Sequence, residues 1–91
     1  MNAHAYIKVE GRVQGVGYRY YAMSQARALD LKGYVRNCID GSVESEVEGD
    51  RESVSRYIDA LRAGPSFARV HDVQVNWLEV NGRYRDFDIR F

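Results

Sequence analysis

The chain has 91 residues, one cysteine, and thirteen Lys and Arg against thirteen Asp and Glu. That length suits one domain, residues 1–91, with a modest core, and a lone cysteine excludes an internal disulfide. Zero net charge lacks the positive field of a nucleic-acid binder. No apolar run approaches the ~20 residues of a membrane span, and residues 1–15 carry charges and glycines where a leader would be apolar. A cytoplasmic protein with no membrane attachment is expected.

Residues 4–13 alternate, with Ile7, Val9 and Val13 on one side and Lys8, Glu10 and Arg12 on the other, as in a half-buried strand. Gly11, Gly15 and Gly17 then punctuate a loop. From residue 18 the period changes: Tyr18, Ala22, Ala26 and Leu29 fall at helical spacing, which predicts a helix over 18–30. Tyr34 to Cys38 reads as a short strand and Asp40-Gly41 as a hairpin turn. Val43 and Val47 alternate with Glu44, Glu46 and Glu48 in a third strand, the glutamates forming a solvated face. Asp50 caps a second helix, with Val54, Tyr57, Ile58 and Leu61 as its apolar stripe and Gly64-Pro65 as its stop. Residues 69–80 and 84–90 read as strands joined by a second hairpin turn at Asn81-Gly82. Phe87, Ile89 and Phe91 mark the inward face of the last strand.

The order β-α-β-β-α-β-β has two helices with one apolar stripe each, and one sheet face can bury both. With right-handed crossovers and a hairpin between the second and third strands, the result is an α+β, ferredoxin-like sandwich. Its sheet is antiparallel, both helices lie on one face, and the last strand is an addition to the usual six elements.

The stretch from Gly11 to Arg19 lies where a strand gives way to a helix. Glycines there let main-chain N–H groups turn inward, and the helix start adds unpaired donors and a positive dipole end. Together they make a cradle for an anion such as phosphate. Arg19 adds a planar fork able to grip two phosphate oxygens. A glycine-rich turn before a helix is also common without a ligand, and its arginine is often only solvated. The stretch fits neither the P-loop pattern nor a dinucleotide fingerprint. Asn37 is the second candidate. The first two strands run parallel, so their carboxyl ends share an edge where Arg19 and Asn37 can meet. Asparagine is equally a turn former beside Asp40-Gly41.

The run Gly11-Arg12-Val13-Gln14-Gly15-Val16-Gly17-Tyr18-Arg19 resembles the first signature of the acylphosphatase family. Gly33-Tyr34-Val35-Arg36-Asn37, followed by Asp40-Gly41-Ser42-Val43-Glu44, resembles the second. Gly64-Pro65 with Ala68-Arg69-Val70 is similar to a third, weaker segment. The resemblance implies a small free-standing hydrolase that splits acyl phosphates into a carboxylate and inorganic phosphate, without metal or cofactor and as a monomer. It implies that Arg19 binds the phosphate, that Asn37 orients the attacking water, and that the amides of Gly15, Val16, Gly17, Tyr18 and Arg19 form the cradle. Tyr18 stands where phenylalanine is usual and brings a hydroxyl that needs a partner if buried. Asp30 replaces a frequent glycine.

Other residues are not assigned chemistry. His4 and His71 lie on different strands without accompanying ligands and are expected at the surface or an edge. Cys38 faces away from its neighbour Asn37 and has no evident activating base. The competing function is a nucleic-acid or protein-binding module on the same fold, which would stack bases on open sheet aromatics. Its glutamate row opposes a phosphate backbone. A related domain serving carbamoyl-phosphate chemistry inside a larger protein is a third possibility.

Overall fold

A computed structural model describes residues 1–91. Its elements are β1 (Asn2–Arg12), α1 (Tyr18–Ala28), β2 (Lys32–Asn37), β3 (Val43–Asp50), α2 (Arg51–Ala63), β4 (Arg69–Leu78) and β5 (Phe87–Arg90). They form one sheet in the order β4-β1-β3-β2-β5. Strand β3 is antiparallel to both β1 and β2, and β4 is antiparallel to β1. Strands β1 and β2 are therefore parallel, and their carboxyl ends reach one edge, as expected.

Alternation along each strand sends one set of side chains to the helices. Ala3, Ala5, Ile7 and Val9 of β1, Val35 of β2, and Val43 and Val47 of β3 are buried there. Helix α1 covers this layer with Tyr18, Ala22 and Ala26, and α2 with Val54, Tyr57, Ile58 and Leu61. The ferredoxin-like sandwich follows because each stripe has only this apolar face against which to hide.

Helix α1 ends at Ala28, two residues before the expected limit. Leu31 N–H donates to Ala26 O and Asp30 N–H to Arg27 O, and Asp30 takes the left-handed φ of 57°. This is a Schellman closure with the buried Leu31 as its apolar anchor.

The chain's last part departs from expectation. Strands β4 and β5 do not form a hairpin; they lie at opposite edges, and β5 pairs parallel with β2, from Gly33 opposite Phe87 to Arg36 opposite Arg90. The Asn81-Gly82 turn does form, with Gly82 at φ 63° and Asn81 Oδ1 accepting from Arg83 N–H at 3.1 Å. It redirects the chain across the helix-free face of the sheet. The Glu48 carboxylate accepts from Asn81 N–H at 2.9 Å and Gly82 N–H at 3.0 Å. The Tyr84 ring lies 6.0 Å from that of Tyr34. At the far side Phe87 is buried against Tyr57, ring centroids 5.8 Å apart. Local turn chemistry is correct here, but burying Phe87 in the core chooses the strand's partner.

That crossing segment changes the open face. Glu44, Glu46 and Glu48 are not a solvated row; Glu48 is buried and the other two are mostly covered. Tyr6 and Tyr34 hydroxyls and the Arg36 guanidinium donate to Glu44, and Tyr34 also to Glu46. His4 is 2% exposed, neither surface nor edge, with Nε2 2.8 Å from Glu46 Oε1 and Nδ1 2.9 Å from Glu79 O. The Tyr34 ring is buried beneath Arg90, 4.1 Å from its centroid, and beside Tyr84, so it offers no open face for a stacked base. Phe91 lies beyond β5 and is exposed, where an inward position was expected; Phe87 is buried and Ile89 half-buried.

Candidate active site

The loop between β1 and α1 needs its glycines for their backbone. Gly15 and Gly17 take φ of 73° and 76°, the left-handed region that costs an L side chain about 1–2 kcal/mol. A Cβ at either would meet nothing within 4 Å, so conformation, not crowding, demands glycine and the loop's face stays open. The N–H groups of Gly15, Val16 and Gly17 donate to no acceptor in the protein. Those of Tyr18 and Arg19 open α1, where no side chain caps the helix.

The two helix starts differ in a telling way. At α2, which also opens on an arginine, Arg51, the Asp50 carboxylate accepts from Ser53 N–H and Glu52 stands in the first turn, so acidic groups face the positive dipole end. At α1 the capping residue is Gly17, no acidic side chain lies in the first turn, and Arg19 adds positive charge. A helix arranged for stability alone would carry acid there. An arginine with unpaired amides concentrates donors and positive potential for an anion.

Arg19 leans on Phe91, its guanidinium carbon 5.0 Å from the ring centroid. Tyr18 points the other way, into the core, and donates its hydroxyl to Leu61 O at 2.7 Å. The hydroxyl expected to need a partner has one, and burial pushes its pKa far upward.

Asn37 ends β2 at the edge reached by the loop, paired in register with Val43. Its Oδ1 is buried and accepts from no protein donor. Leaving such an acceptor unpaired costs about 1–3 kcal/mol, so this atom is expensive unless it serves a further partner. Beyond it, Cys38 N–H donates to Ser42 O and Gly41 N–H to Cys38 O, closing the turn. The Asp40 carboxylate accepts from the Ser42 hydroxyl and N–H and from Lys8, which holds its pKa well below the usual carboxylate range.

The fold thus brings the loop, Arg19 and Asn37 to one edge of the sheet. Two further residues reach this edge without a local signal that places them there. Gln14, visible only as part of a motif, donates from Nε2 to Cys38 O and Ser42 O. Phe91 was expected in the core. The largest cavity, about 570 Å³, lies toward the other end of β3 beside Asp30, Glu48 and Asp50, away from these groups. No group of three His, Cys, Asp or Glu is placed to share a metal.

Known proteins agree with this architecture. A family profile described as Acylphosphatase matches residues 5–89. An acylphosphatase of Caldanaerobacter subterraneus subsp. tengcongensis is 43% identical over 89 residues, 98% of this chain and 99% of that protein. One of Anaeromyxobacter dehalogenans is 48% identical over 87 residues, covering 96% and 94%. The crystal structure of acylphosphatase from Bacillus subtilis superposes with a TM-score of 0.94 over all of both chains at 34% identity. Sequence likeness over nearly the full length and one shared fold lead to the same conclusion: the chain belongs to the acylphosphatase family.

Proposed function

We propose that this enzyme cleaves the carboxyl–phosphate bond of acyl phosphates by in-line attack of a water oriented by Asn37 on a phosphate held by Arg19 and the amides of Gly15 to Arg19. The observation that carries this reading is the run of unpaired amides entering a helix start that bears Arg19 and no acid. Arg19 and the amides neutralise charge on the non-bridging oxygens, a kind of contribution often worth roughly 10²–10³ in rate per donor. Asn37 Oδ1, which lacks a protein donor, accepts a hydrogen of the water and turns its lone pair toward phosphorus.

No general acid is needed. The leaving group is a carboxylate whose conjugate acid has a pKa of ~4, so it departs unprotonated. Phosphoryl transfer asks a protein mainly for positioning and charge stabilisation. The carboxamide of Asn37 is no base at neutral pH, so the water's proton passes to a phosphate oxygen or to solvent.

The test is hydrolysis of benzoyl phosphate by enzyme treated with a metal chelator, with Arg19→Ala as control. Undiminished turnover after chelation and near-complete loss in Arg19→Ala are expected. Full activity of Arg19→Ala would overturn the reading.

A further inference from the structure

We infer that Gln14 is a positioning residue for hydrolysis, clamping the Asn37 strand end to the loop that carries the amide cradle. The inference rests on the reading of Arg19 and Asn37 given above.

The phosphate-holding and water-holding groups belong to separate segments, the loop after β1 and the end of β2. Between residues 13–17 and 37–42 the only hydrogen bonds are two from Gln14 Nε2, each 2.8 Å, to Cys38 O and Ser42 O. Both carbonyls already serve the turn itself: Cys38 O accepts from Gly41 N–H at 3.2 Å and Ser42 O from Cys38 N–H at 2.8 Å. The turn closes without Gln14. What the carboxamide adds is the turn's place relative to the loop. Gln14 precedes Gly15, the first cradle amide, and Cys38 follows Asn37, so the clamp acts one residue from each half of the site. The other tie to this turn, Lys8 to Asp40 at 3.0 Å, starts within β1 and is partly solvated.

The chemistry is specific to glutamine. A primary amide offers two hydrogens from one nitrogen and can serve two carbonyls at once. Glutamate has the same shape but would set an oxygen against both. In-line attack is sensitive to such placement: a shift of ~1 Å can cost roughly 10²-fold in rate.

The experiment compares Gln14→Ala and Gln14→Glu, each in the wild-type and the Asn37→Ala background. It measures kcat and KM for benzoyl phosphate and the inhibition constant of inorganic phosphate, whose binding also reports a folded cradle. In the wild-type background kcat should fall roughly 10–100-fold while the phosphate constant moves less than about threefold. In the Asn37→Ala background the same substitutions should lower kcat by no more than about twofold, because the water is already misplaced. Unchanged kcat in both variants would overturn the inference, as would an undiminished effect in the Asn37→Ala background or an equal loss of phosphate affinity. Failure of both variants to fold would also overturn it, since the bonds would then hold the fold and not the site. Normal turnover by Asn37→Ala alone would remove the underlying reading of the site, a distinct result.

Discussion

The guanidinium carbon of Arg19 rests 5.0 Å from the centre of the Phe91 ring. Phe91 is 94% exposed, so little of its area is hidden from water by the contact. The interaction restricts a long, flexible side chain, so under the role proposed for Arg19 less of its ordering falls to a bound anion. A cation over an exposed ring is worth about 0.5–1 kcal/mol. Phe91→Ala should therefore raise the inhibition constant of phosphate about two- to fivefold and leave thermal stability nearly unchanged. Phosphate inhibition at constant ionic strength measures this, and tighter binding in the variant would show that the ring instead holds Arg19 away from the anion.

Asn37 joins a functional expectation to a stability expectation of opposite sign. Its buried Oδ1 has no protein donor. Asn37→Ala removes an unpaired acceptor, so the melting temperature should hold or rise while kcat falls by about 10²-fold or more. Phosphate affinity should stay within about threefold. Denaturation curves and steady-state kinetics on one preparation decide it; a large loss of stability would mean that the carboxamide is structural.

Glu44 should contribute to acid sensitivity. Burial by itself would raise its pKa, but hydrogen bonds from Tyr6, Arg36 and Tyr34 outweigh that and lower it. Tyr6 moves the other way, pushed up to about 12 by burial and by its bond to Glu44. A carboxylate depressed in the folded state adds stability above its unfolded pKa, near ~4. That stability is lost as the pH falls through the lower folded value. Glu44→Gln replaces one acceptor oxygen with a donor and removes the charge facing Arg36, and should cost about 1–3 kcal/mol at pH 7. The difference from wild type should shrink toward pH 3, where the native carboxylate also begins to protonate. Urea unfolding at the two pH values is the check, and a constant difference would count against the network.

Asp30 occupies a left-handed position at φ 57° just past the end of α1, where an acidic side chain faces the negative end of the helix dipole. The strain of an L residue there is ~1 kcal/mol or more, and glycine's greater freedom in the unfolded chain returns part of it. Asp30→Gly should stabilise the protein by about 0.5–1 kcal/mol with kcat unchanged. Calorimetry tests this. A drop in melting temperature would point to a contribution from the carboxylate that its geometry does not reveal.

Much of the architecture is legible in local patterns. Alternation in residues 4–13 marks β1, and Val54, Tyr57, Ile58 and Leu61 mark the buried stripe of α2. Two strand–helix–strand units with one apolar face leave few arrangements, and the parallel course of β1 and β2 already sends Arg19 and Asn37 to the same edge. The Asn81-Gly82 turn was equally legible as a turn, but not the strand it leads to. Glu44, Glu46 and Glu48 read locally as a solvated face, and His4 as a surface or edge residue, because nothing near them in the chain covers them; residues 79–86 and the neighbouring strands do.

Local patterns carry the kind and order of the strands and helices, most of their apolar faces, and the positions where glycine frees the backbone. Those properties follow from side-chain period and from φ, which neighbouring residues control. Tertiary structure alone decided that β5 joins β2, that Phe91 meets Arg19, and that Gln14 reaches the turn beyond Asn37. Each of these joins segments at least 24 residues apart, through contacts made only after the core has assembled. A contact between distant segments depends on how the whole chain buries its apolar area, and no local pattern records that outcome.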